Sequence, residues 1–456
     1  MSAVLGQDEQ TWRRGPPAVA ARPIAAGPLS RALAFDAGGQ TSLAGFLAQV
    51  RGVAAALPEG VHAVNLCEDR YRFLVALCAA ASRGQTTLLP PSRAPAVVAD
   101  VQQAYPHSYC LADAAFAGGA WQLPTRLPEI DGAMPCIADD ALAVIGFTSG
   151  STGVPVANPK TWGSFRTSTA QNLVALRDLW PDDAVANVVA TVPPQHMYGM
   201  ELSVLLPLLG PVAVHAGRPF FPHDVAMALQ QCDGHRLLVT TPVHLRALVE
   251  SGVALPPMSG IVSATAPLSA ELAAAAEQRF ACEVRELFGS TETCVIARRR
   301  SARQTAWTPL PGVVMVPQPD GAQVRAPHLA TPVRLADLVE VHADGSFELR
   351  GRNADLLEIA GKRASLGDLT RKLQAVPGVT DGVVFQLDDD RRGVRRIAAL
   401  AVAPQLQEAQ IIAALRDVID PVFLPRPLRR VDALPRNDTG KLPRQALLAL
   451  LRGSMR

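Results

Sequence analysis

A run of small residues at positions 148–153 is the segment of this sequence best suited to chemistry. It consists of four residues with a side-chain hydroxyl and two glycines, in the order Thr148, Ser149, Gly150, Ser151, Thr152 and Gly153. Such a loop can wrap an anion, because glycine allows positive φ and close approach while N–H and hydroxyl groups donate hydrogen bonds. It follows Leu142–Phe147, an apolar run that predicts a buried strand and favours an anion site over a flexible linker. The chain has no G-x-x-x-x-G-K-[ST] pattern, so this is not a Walker loop.

Other chemistry-bearing residues are less distinctive when each is taken alone. Phe288 ends an apolar run, and by itself it would be interpreted as a core aromatic. Glu292, four residues later, would be interpreted as a solvated carboxylate. Lys441 follows a glycine in an irregular C-terminal stretch, where most lysines are solvated. Nine histidines occur without an H-E-x-x-H or comparable pattern, which favours packed or gating histidines over metal ligands.

Five segments, taken in their order along the chain, resemble the motifs of the ANL adenylate-forming superfamily. That superfamily contains acyl- and aryl-CoA synthetases, adenylation domains of peptide synthetases, and luciferases. The segments are TSGSTG followed by Pro155, Pro193–Gly199 (PPQHMYG), Phe288–Glu292 (FGSTE), Asp337 with Asp344-Gly345 and Gly351-Arg352, and Leu434–Leu442 (LPRNDTGKL). The resemblance covers about residues 40–450. It implies that ATP and a carboxylic acid give an acyl-adenylate and pyrophosphate, after which a thiol takes the acyl group.

The resemblance implies a nucleotide site built from several segments. The loop at 148–153 would hold the triphosphate, and Phe288, where the family usually has Tyr, would stack against adenine with Gly289 and Ser290 beside it. Thr291 would donate to the α-phosphate. Glu292 would hold Mg²⁺, a hard cation that prefers carboxylate and phosphate oxygen.

Two further residues would contact the ribose. Asp337 would accept from two ribose hydroxyls in a charge-assisted contact. Its match to the family is partial, because Leu335-Ala336 replaces the usual Thr-Gly. Arg352 would add a second contact near the ribose.

Lys441 would complete catalysis from a mobile C-terminal domain. Its ammonium would contact the α-phosphate and carboxylate oxygens during adenylation and then be withdrawn. Such contacts are typically worth about 10²–10³ in rate.

The acid would bind beside the nucleotide. His196 resembles the family's histidine at the gate of the acyl pocket, and Tyr198 lies in the same motif. The segment Ser263–Leu268 (SATAPL) matches the family's small-residue segment beside the acyl pocket and adenine. Ala264 and Thr265 would contact the nucleotide there, while Ala264 and Gly289 would also leave room for a flat acid.

The sequence departs from the family pattern at two places. The family loop usually continues T-G-x-P-K-G, but here Pro155 is followed by Val-Ala-Asn-Pro-Lys. The loop lysine is therefore either displaced to Lys160 or absent. The hinge usually has two adjacent aspartates, whereas Asp355 is the only candidate hinge carboxylate here.

Apolar strand patterns alternate with helical patterns along the chain. This alternation predicts an α/β fold of mostly parallel sheets covered by helices, which must position the residues named above. Predicted strands are His62–Cys67, Thr86–Leu89, Leu142–Phe147, Val185–Val192, Leu237–Thr240, Gly260–Ser263 and Glu283–Phe288. Predicted helices are Tyr71–Ser82, Ser168–Trp180, Asp224–Gln231, Pro242–Ser251 and Ser269–Phe280, the last capped by Ser269 with Glu271 in its first turn.

A second, smaller α+β unit is predicted after residue 350. We expect an adenylate-forming domain over 1–350 and a mobile lid domain over 351–456 that carries Lys441. In the lid, Leu366–Ala375 and Ala409–Ile419 predict helices, and Gly382–Leu387 with Ile397–Val402 predicts a hairpin. Pro421–Arg444 is rich in Pro and Arg and is expected to be irregular.

Composition excludes several classes of protein. The 456 residues are 48% hydrophobic and 18% charged, with a net charge of +2, which favours neither disorder nor nucleic acid as a partner. The seven cysteines are scattered without a C-x-x-C pair, which indicates reduced thiols in a cytoplasmic protein. The first fifteen residues lack the apolar core of a signal peptide. The most apolar stretch, Leu202–Val214, is broken by Pro and Gly and is too short to span a bilayer.

The thiol acceptor and the acid remain open at the level of sequence. Arg298–Arg300 and Arg391–Arg396 are basic clusters that are either solvated surface or a docking face for an acidic acyl carrier protein. The chain is short for an acyl-CoA synthetase and resembles the short bacterial aryl- or acyl-acid:carrier-protein ligases of aryl-polyene and xanthomonadin-type pigment pathways, which activate hydroxybenzoate-like acids. The alternatives are a CoA ligase, a luciferase-like oxidative member, and a degenerate homologue that binds nucleotide without turnover.

Overall fold

The structure, a computed structural model, describes residues 21–149, 155–182, 184–352, 356–359, 362–387, 396–437 and 440–453. Its residues group into two compact units. Unit 1 comprises Met1–Leu173, Val185–Val188 and Pro193–Arg218, and unit 2 comprises Val174–Ala184, Val189–Val192 and Pro219–Arg456. This division differs from the boundary expected near residue 351, which stays a prediction.

The elements are numbered here in chain order. The strands up to residue 215 are β1 (Ala21–Pro23), β2 (Ala32–Asp36), β3 (Gly39–Ser42), β4 (His62–Asn65), β5 (Thr86–Leu89), β6 (Ser108–Ala112), β7 (Trp121–Gln122), β8 (Cys136–Ala138), β9 (Leu142–Ser149), β10 (Pro155–Thr161), β11 (Ala186–Ala190) and β12 (Val212–His215). Later strands are β13 (His235–Thr240), β14 (Gly260–Ser263), β15 (Glu283–Ser290), β16 (Cys294–Arg299), β17 (Thr308–Pro309), β18 (Val314–Gln318), β19 (Gly321–Arg325), β20 (Val333–Leu335), β21 (Asp337–Val341), β22 (Phe347–Arg352), β23 (Leu356–Ile359), β24 (Lys362–Ser365), β25 (Asp381–Gln386), β26 (Ile397–Val402) and β27 (Leu428–Arg430). The α-helices are α1 (Leu43–Ala56), α2 (Arg70–Ser82), α3 (Pro95–Ala104), α4 (Trp162–Leu176), α5 (Met197–Met200), α6 (Leu206–Leu209), α7 (Pro222–Gln230), α8 (Pro242–Glu250), α9 (Ala270–Phe280), α10 (Leu366–Gln374), α11 (Glu408–Arg416) and α12 (Arg444–Gly453).

Unit 1 is built on a six-stranded sheet in the order β10-β9-β5-β4-β6-β7. Its pairs are parallel except for β10, which runs antiparallel to β9. The central strands carry fully buried apolar residues, including Val64 and Leu88, so each needs helical cover on both faces. The predicted parallel α/β architecture is therefore confirmed in this unit.

Unit 2 contains a sheet in the order β17-β16-β15-β14-β13. The three strands β13, β14 and β15 run parallel, and their register aligns Thr240 with Ser263 and Ser263 with Glu286. The carboxyl ends of these strands therefore lie side by side, which is the edge where ligands bind in α/β sheets. The sheet places the segments after Thr240, Ser263 and Glu286 next to one another.

The C-terminal part of unit 2 is the predicted smaller α+β region. The predicted hairpin is confirmed, because β25 pairs antiparallel with β26, and α10 and α11 pack on it through Leu369, Leu373 and Ile411. The expectation that Pro421–Arg444 is irregular is wrong in two places, and the first is a 3₁₀ turn at Pro421–Phe423. Leu428–Arg430 forms β27 and pairs parallel with β26, since a short edge strand needs few apolar residues to be held.

Helix boundaries follow their capping residues. Ser269 caps α9 as predicted, with its Oγ accepting from Leu272 N at 3.2 Å. The predicted start of α4 at Ser168 is wrong, because Thr161 Oγ1 accepts from Ser164 N at 3.1 Å and the helix begins at Trp162. In unit 1, a π-helical turn over Glu201–Leu205 joins α5 to α6.

The described helices contain no segment long and apolar enough to cross a membrane. All seven cysteines are described and are free thiols. Cys136 is exposed, Cys282 is half-buried, and the others are buried.

Candidate active site

The β15–β16 hairpin of unit 2 carries the predicted Thr291 and Glu292. The register shifts between Phe288 and Gly289, and a Cβ at Gly289 would lie 2.1 Å from Cys294 O, so only glycine fits this close approach. Ser290 N donates to Thr293 Oγ1 at 3.0 Å, and Thr293 N donates to Ser290 Oγ at 3.2 Å. These reciprocal bonds fix the turn, and they leave Thr291 and Glu292 half-buried at its tip.

Phe288 belongs to an aromatic cluster. Its ring lies 5.3 Å from the Trp307 ring and 6.1 Å, edge-on, from the Phe347 ring. Phe288 itself remains half-buried, whereas its two partners are buried. The cluster fixes the orientation of Phe288, and its stacking on adenine stays a prediction.

The small-residue segment after β14 is held from one side by a buried carboxylate. Glu286 Oε1 accepts from Leu268 N at 3.0 Å, while Oε2 accepts from Arg299 Nε at 2.8 Å and Ser301 Oγ at 2.6 Å. Thr265, within the segment, has φ +82°, a conformation that is strained for a β-branched residue. Strained backbone of this kind clusters at ligand sites, which supports the predicted role of Ala264 and Thr265.

The loop that carries Lys441 lies against the start of α8. Gly440 has φ +79°, and a Cβ there would lie 3.1 Å from Val243 Cγ2. Val243 follows Thr240 at the carboxyl end of β13, next to the ends of β14 and β15. The structure therefore brings the Lys441 loop to the sheet edge that also carries Ala264–Thr265 and Phe288–Ser290. Lys441 itself is exposed.

Asp337 begins β21, and its backbone pairs with that of Arg352 in β22. The two residues predicted to contact the ribose are thus cross-strand neighbours. The hairpin is anchored to β15 through Phe347, which contacts Phe288. The predicted hinge residue Asp355 lies outside the described residues.

A polar group that the sequence did not reveal lies at the same edge of unit 2. Thr191 Oγ1 bonds Thr240 Oγ1 at 3.0 Å and His244 Nδ1 at 2.8 Å. The two threonines are fully buried, and the Phe220 ring packs edge-on against His244 at 5.1 Å. The only sequence signal for it was the position of Thr240 at the end of a predicted strand.

The remaining predicted residues belong to unit 1. Thr148 is half-buried and its Oγ1 accepts from Asn158 Nδ2 at 3.4 Å, while Gly150–Gly153 lie outside the described residues. His196 precedes α5, and Tyr198 is buried within it. The roles of these residues stay predictions.

Lys160, one of the two alternatives for the loop lysine, lies at the far end of the β9–β10 hairpin from Pro155. In the β9–β10 hairpin, Pro155 pairs with Ser149 beside the loop, whereas Lys160 pairs with Val144. Five residues of extended strand place Lys160 about 17 Å from Pro155, farther than a lysine side chain reaches. This separation favours absence of the family's loop lysine over its displacement to Lys160, and the choice between the two stays a prediction.

The basic cluster at Arg298–Arg300 is neutralised within unit 2. Arg298 lies 3.7 Å from Asp178, Arg299 lies 2.7 Å from Glu286, and Arg300 lies 2.8 Å from Glu277. The other predicted cluster has only Arg396 among the described residues.

Two carboxyls of this network have lowered pKa values. The hydrogen bond from Arg285 lowers the pKa of Asp178, against the effect of burial. Burial alone would raise the pKa of Glu277, but hydrogen bonds from Arg300 and from Val284 N–H outweigh it and lower the pKa. The arginines therefore act as structural counter-ions.

Known structures resemble this fold closely. The amide bond synthetase McbA from Marinactinospora thermotolerans aligns over 93% of this chain and 97% of its own, with a TM-score of 0.75 and 19% identity. The o-succinylbenzoate CoA synthetase MenE from Bacillus subtilis, in complex with its acyl-adenylate intermediate, aligns over 92% and 95% with a TM-score of 0.77 and 18% identity. At these identities the comparison shows the fold, and it confirms the predicted α/β architecture with a smaller C-terminal part.

Curated relatives match at higher identity over shorter lengths. A 4-coumarate–CoA ligase from Rhodobacter capsulatus is 30% identical over 299 residues, which is 64% of this chain and 73% of that enzyme. A linear gramicidin synthase from Brevibacillus parabrevis is 36% identical over 117 residues. That match spans 25% of this chain and only 2% of the synthase.

Two family models match the sequence itself. The C-terminal domain of AMP-binding enzymes matches residues 371–441. The AMP-binding enzyme family matches residues 86–326, which is more than half of the chain and includes the segments at 148–153, 264–265 and 288–292. The chain belongs to the AMP-binding enzyme family.

Proposed function

We propose that this protein joins a carboxylic acid to ATP, releases pyrophosphate, and passes the acyl group from the resulting adenylate to a thiol. The observation that carries the proposal is the position of the Lys441 loop. Through Gly440 and Val243, it lies at the sheet edge that also bears Ala264–Thr265 and Phe288–Ser290. Family membership supplies the reaction class, and this arrangement supports it.

The chemistry needs charge neutralisation more than proton transfer. A carboxylate attacks the α-phosphate of ATP, its oxygen bonds to phosphorus, and pyrophosphate leaves with the electron pair of the broken bond. Lys441 neutralises charge on the two reacting groups and aligns them, and the Thr291 hydroxyl donates to the α-phosphate. Phe288 stacks on adenine, and Asp337 and Arg352 hold the ribose.

Mg²⁺ fits the residues at this site. In proteins it is held by one or two carboxylates together with substrate phosphates and water, so it does not need a cage of acidic residues. The described residues contain no group of three or more candidate metal ligands, while Glu292 is half-buried at the hairpin tip beside Thr291. Glu292 would hold the ion, which neutralises phosphate charge when it is bound with ATP.

The loop at 148–153 and the acid pocket complete the proposal. The loop would hold the triphosphate through neutral donors, because Lys160 lies at the far end of its hairpin. His196 and Tyr198 would gate the acid, with Ala264 and Gly289 leaving space for a flat ring. An aromatic, hydroxybenzoate-like acid is the proposed class, and the similarity to 4-coumarate–CoA ligase favours an aromatic substrate.

The proposed acceptor is the phosphopantetheine thiol of an acidic acyl carrier protein. Residues 351–456 contain 18 Lys and Arg against 12 Asp and Glu, although the whole chain is nearly neutral. A basic C-terminal region favours encounter with an acidic partner. Free CoA is the second candidate, which the similarity to 4-coumarate–CoA ligase favours.

ATP–pyrophosphate exchange across a panel of aromatic and aliphatic acids tests the adenylation step. We expect acid-dependent exchange in the wild-type protein and its loss in Lys441→Ala. Lys372→Ala is the matched control, since Lys372 is a lysine of α10 that pairs with Asp368 at 3.0 Å. Nucleotide binding without exchange for any acid would contradict the proposal and identify a degenerate homologue.

The acceptor is tested separately with the best acid. Holo carrier protein and CoA are supplied in parallel, and thioester formation is followed by mass spectrometry. Transfer to CoA alone would contradict the carrier-protein proposal, but it would still support the proposed ligase activity. Light emission or acid-dependent oxygen consumption would instead indicate luciferase-like chemistry.

A further inference from the structure

The loop from Arg436 to Lys441 is closed by its own backbone and by Asn437. Asn437 N donates to Lys441 O at 2.9 Å, and Lys441 N donates to Asn437 Oδ1 at 2.8 Å. Gly440 N donates to Asn437 O at 2.8 Å. These contacts join residues 437, 440 and 441 to one another, but they do not by themselves attach these residues to the sheet.

Arg436 makes that attachment. Its Nε and Nη2 donate to Asp381 Oδ2 and Oδ1 at 3.0 and 2.8 Å, and its Nη1 donates to Gly440 O at 2.8 Å. Asp381 is the first residue of β25, so one guanidinium joins the sheet to the peptide carbonyl that directly precedes Lys441. The two side chains are 22% and 30% exposed, which screens the pair less than a fully exposed one.

We propose that Arg436 and Asp381 form a positioning pair that fixes the backbone of Lys441 relative to β25. The inference rests on the proposed function, because it assigns the pair a role through the catalytic lysine. Neither side chain is assigned contact with substrate.

The geometry explains why this position requires arginine. The planar guanidinium reaches both carboxylate oxygens with one edge and keeps a further N–H for Gly440 O. A lysine has one nitrogen and cannot make the three contacts in this arrangement. A long lysine side chain at 441 is useful only if its backbone is fixed, because a displacement of about 1 Å at a reacting group can cost about 10² in rate.

The first test measures the attachment without using activity. Hydrogen–deuterium exchange of the Gly440 and Lys441 amides is compared in wild type, Arg436→Gln, Arg436→Lys and Asp381→Asn. Arg429→Gln is the matched control, since Arg429 pairs with Glu408 at 2.9 Å in the same region and contacts neither Asp381 nor the loop. We expect exchange at least about tenfold faster in the Arg436 variants and unchanged exchange in the control. Unchanged exchange in Arg436→Gln would overturn the proposal, whether or not the protein is a ligase.

The second test separates positioning from general damage. Arg436→Gln should lower kcat of acid-dependent ATP–pyrophosphate exchange by about 10²-fold and leave KM for ATP and acid within about twofold. Transfer from supplied acyl-adenylate to the thiol should be unchanged, because Lys441 acts only in adenylation. Equal losses in both half-reactions would indicate a misfolded region and overturn the positioning role.

A double variant tests whether the pair acts through Lys441. Arg436→Gln combined with Lys441→Ala should be no slower in exchange than Lys441→Ala alone, because a positioning effect disappears with the group it positions. Additive losses would overturn the inference. If no acid of the panel supports ATP–pyrophosphate exchange by the wild-type protein, the proposed function fails. Hydrogen–deuterium exchange then still tests whether Arg436 and Asp381 fix the Lys441 backbone.

Discussion

Two cationic regions of unit 2, Arg298–Arg300 and the segment around Lys441, are held in different ways. Each arginine of Arg298–Arg300 lies within ion-pair distance of a carboxylate from another part of the chain. Lys441 is exposed, and its position is set through the backbone by Asn437 and Arg436. The arginines of the first region are counter-ions within the fold, whereas the second region places Lys441 at the carboxyl-end edge of the sheet that we propose as the nucleotide site.

The difference shows that a short run of arginines in a sequence does not by itself identify a docking face. Arg299 also packs on the Trp307 ring at 4.3 Å and so links the network to the aromatic cluster around Phe288. A docking role for Arg298–Arg300 would require breaking these contacts. Substitutions in the two regions should therefore affect different measurements.

The largest expected effect on activity is that of Lys441→Ala. Loss of the ammonium should reduce acid-dependent exchange by about 10²–10³-fold, because it removes charge neutralisation in the transition state. The midpoint of thermal unfolding should be unchanged, since the side chain is exposed. Full exchange activity in Lys441→Ala would contradict the catalytic role proposed for this lysine.

Glu286→Gln should give the largest loss of stability. The carboxylate is 3% exposed and accepts from Leu268 N–H, Arg299 and Ser301, so the amide would leave Arg299 without its counter-charge. We expect the free energy of unfolding to fall by about 3 kcal/mol. Denaturant titration measures it, with Glu250→Gln as the control because Glu250 is an exposed carboxylate on α8. Equal stability in both variants would contradict a structural role for the network.

Arg300→Gln tests whether the arginine cluster serves stability or docking. It removes contacts to Glu277 at 2.8 Å and Glu283 at 3.5 Å, and solvent screens part of this loss. We expect a destabilisation of about 1 kcal/mol in chemical denaturation. Exchange activity and binding of an acidic carrier protein should match those of Arg303→Gln, an exposed neighbour. A selective loss of carrier binding in Arg300→Gln would restore the docking hypothesis.

The smallest expected effect is on acid stability. The folded-state pKa of Asp178 is lowered, mainly by Arg285, so its contribution is present above the unfolded pKa near about 4 and is lost as pH falls through the folded value. The free energy of unfolding should therefore decrease with falling pH below about 4. Asp178→Asn should flatten this dependence, as measured by denaturant titration at several pH values. An unchanged slope would contradict the contribution of the ion pair.

The sequence predicted the parallel core well. Thr86–Leu89 and Gly260–Ser263 were located to the residue, because short apolar runs bounded by polar and Gly or Pro residues have few alternatives. The strands from β18 to β22 were not predicted. Their burial alternates weakly and Pro317 interrupts β18, so local pattern gives little signal for an exposed meander.

The candidate site was predicted only where it is local in sequence. Family motifs pointed to Lys441 and Phe288–Glu292, whose roles stay predictions, but they could not show that Arg298–Arg300 are paired with carboxylates. Arg436 and Asp381 are 55 positions apart, and Arg299 reaches Glu286 across a hairpin. Such partners depend on side-chain geometry in the folded chain, which composition and periodicity do not contain.

The left-handed backbone of Thr265 has a consequence for anyone engineering this protein. Ala281, at the end of α9, also has positive φ, at +53°, and a search for unfavourable torsions would select both residues for replacement by glycine. Ala281→Gly should stabilise the protein by about 0.5 kcal/mol without affecting activity, because it relaxes a helix terminus outside the segments proposed to contact the nucleotide. Thr265→Gly would also relieve the strained φ, but it would give more backbone freedom to the segment that we propose to contact the nucleotide. It should therefore raise the midpoint of thermal unfolding and lower acid-dependent exchange.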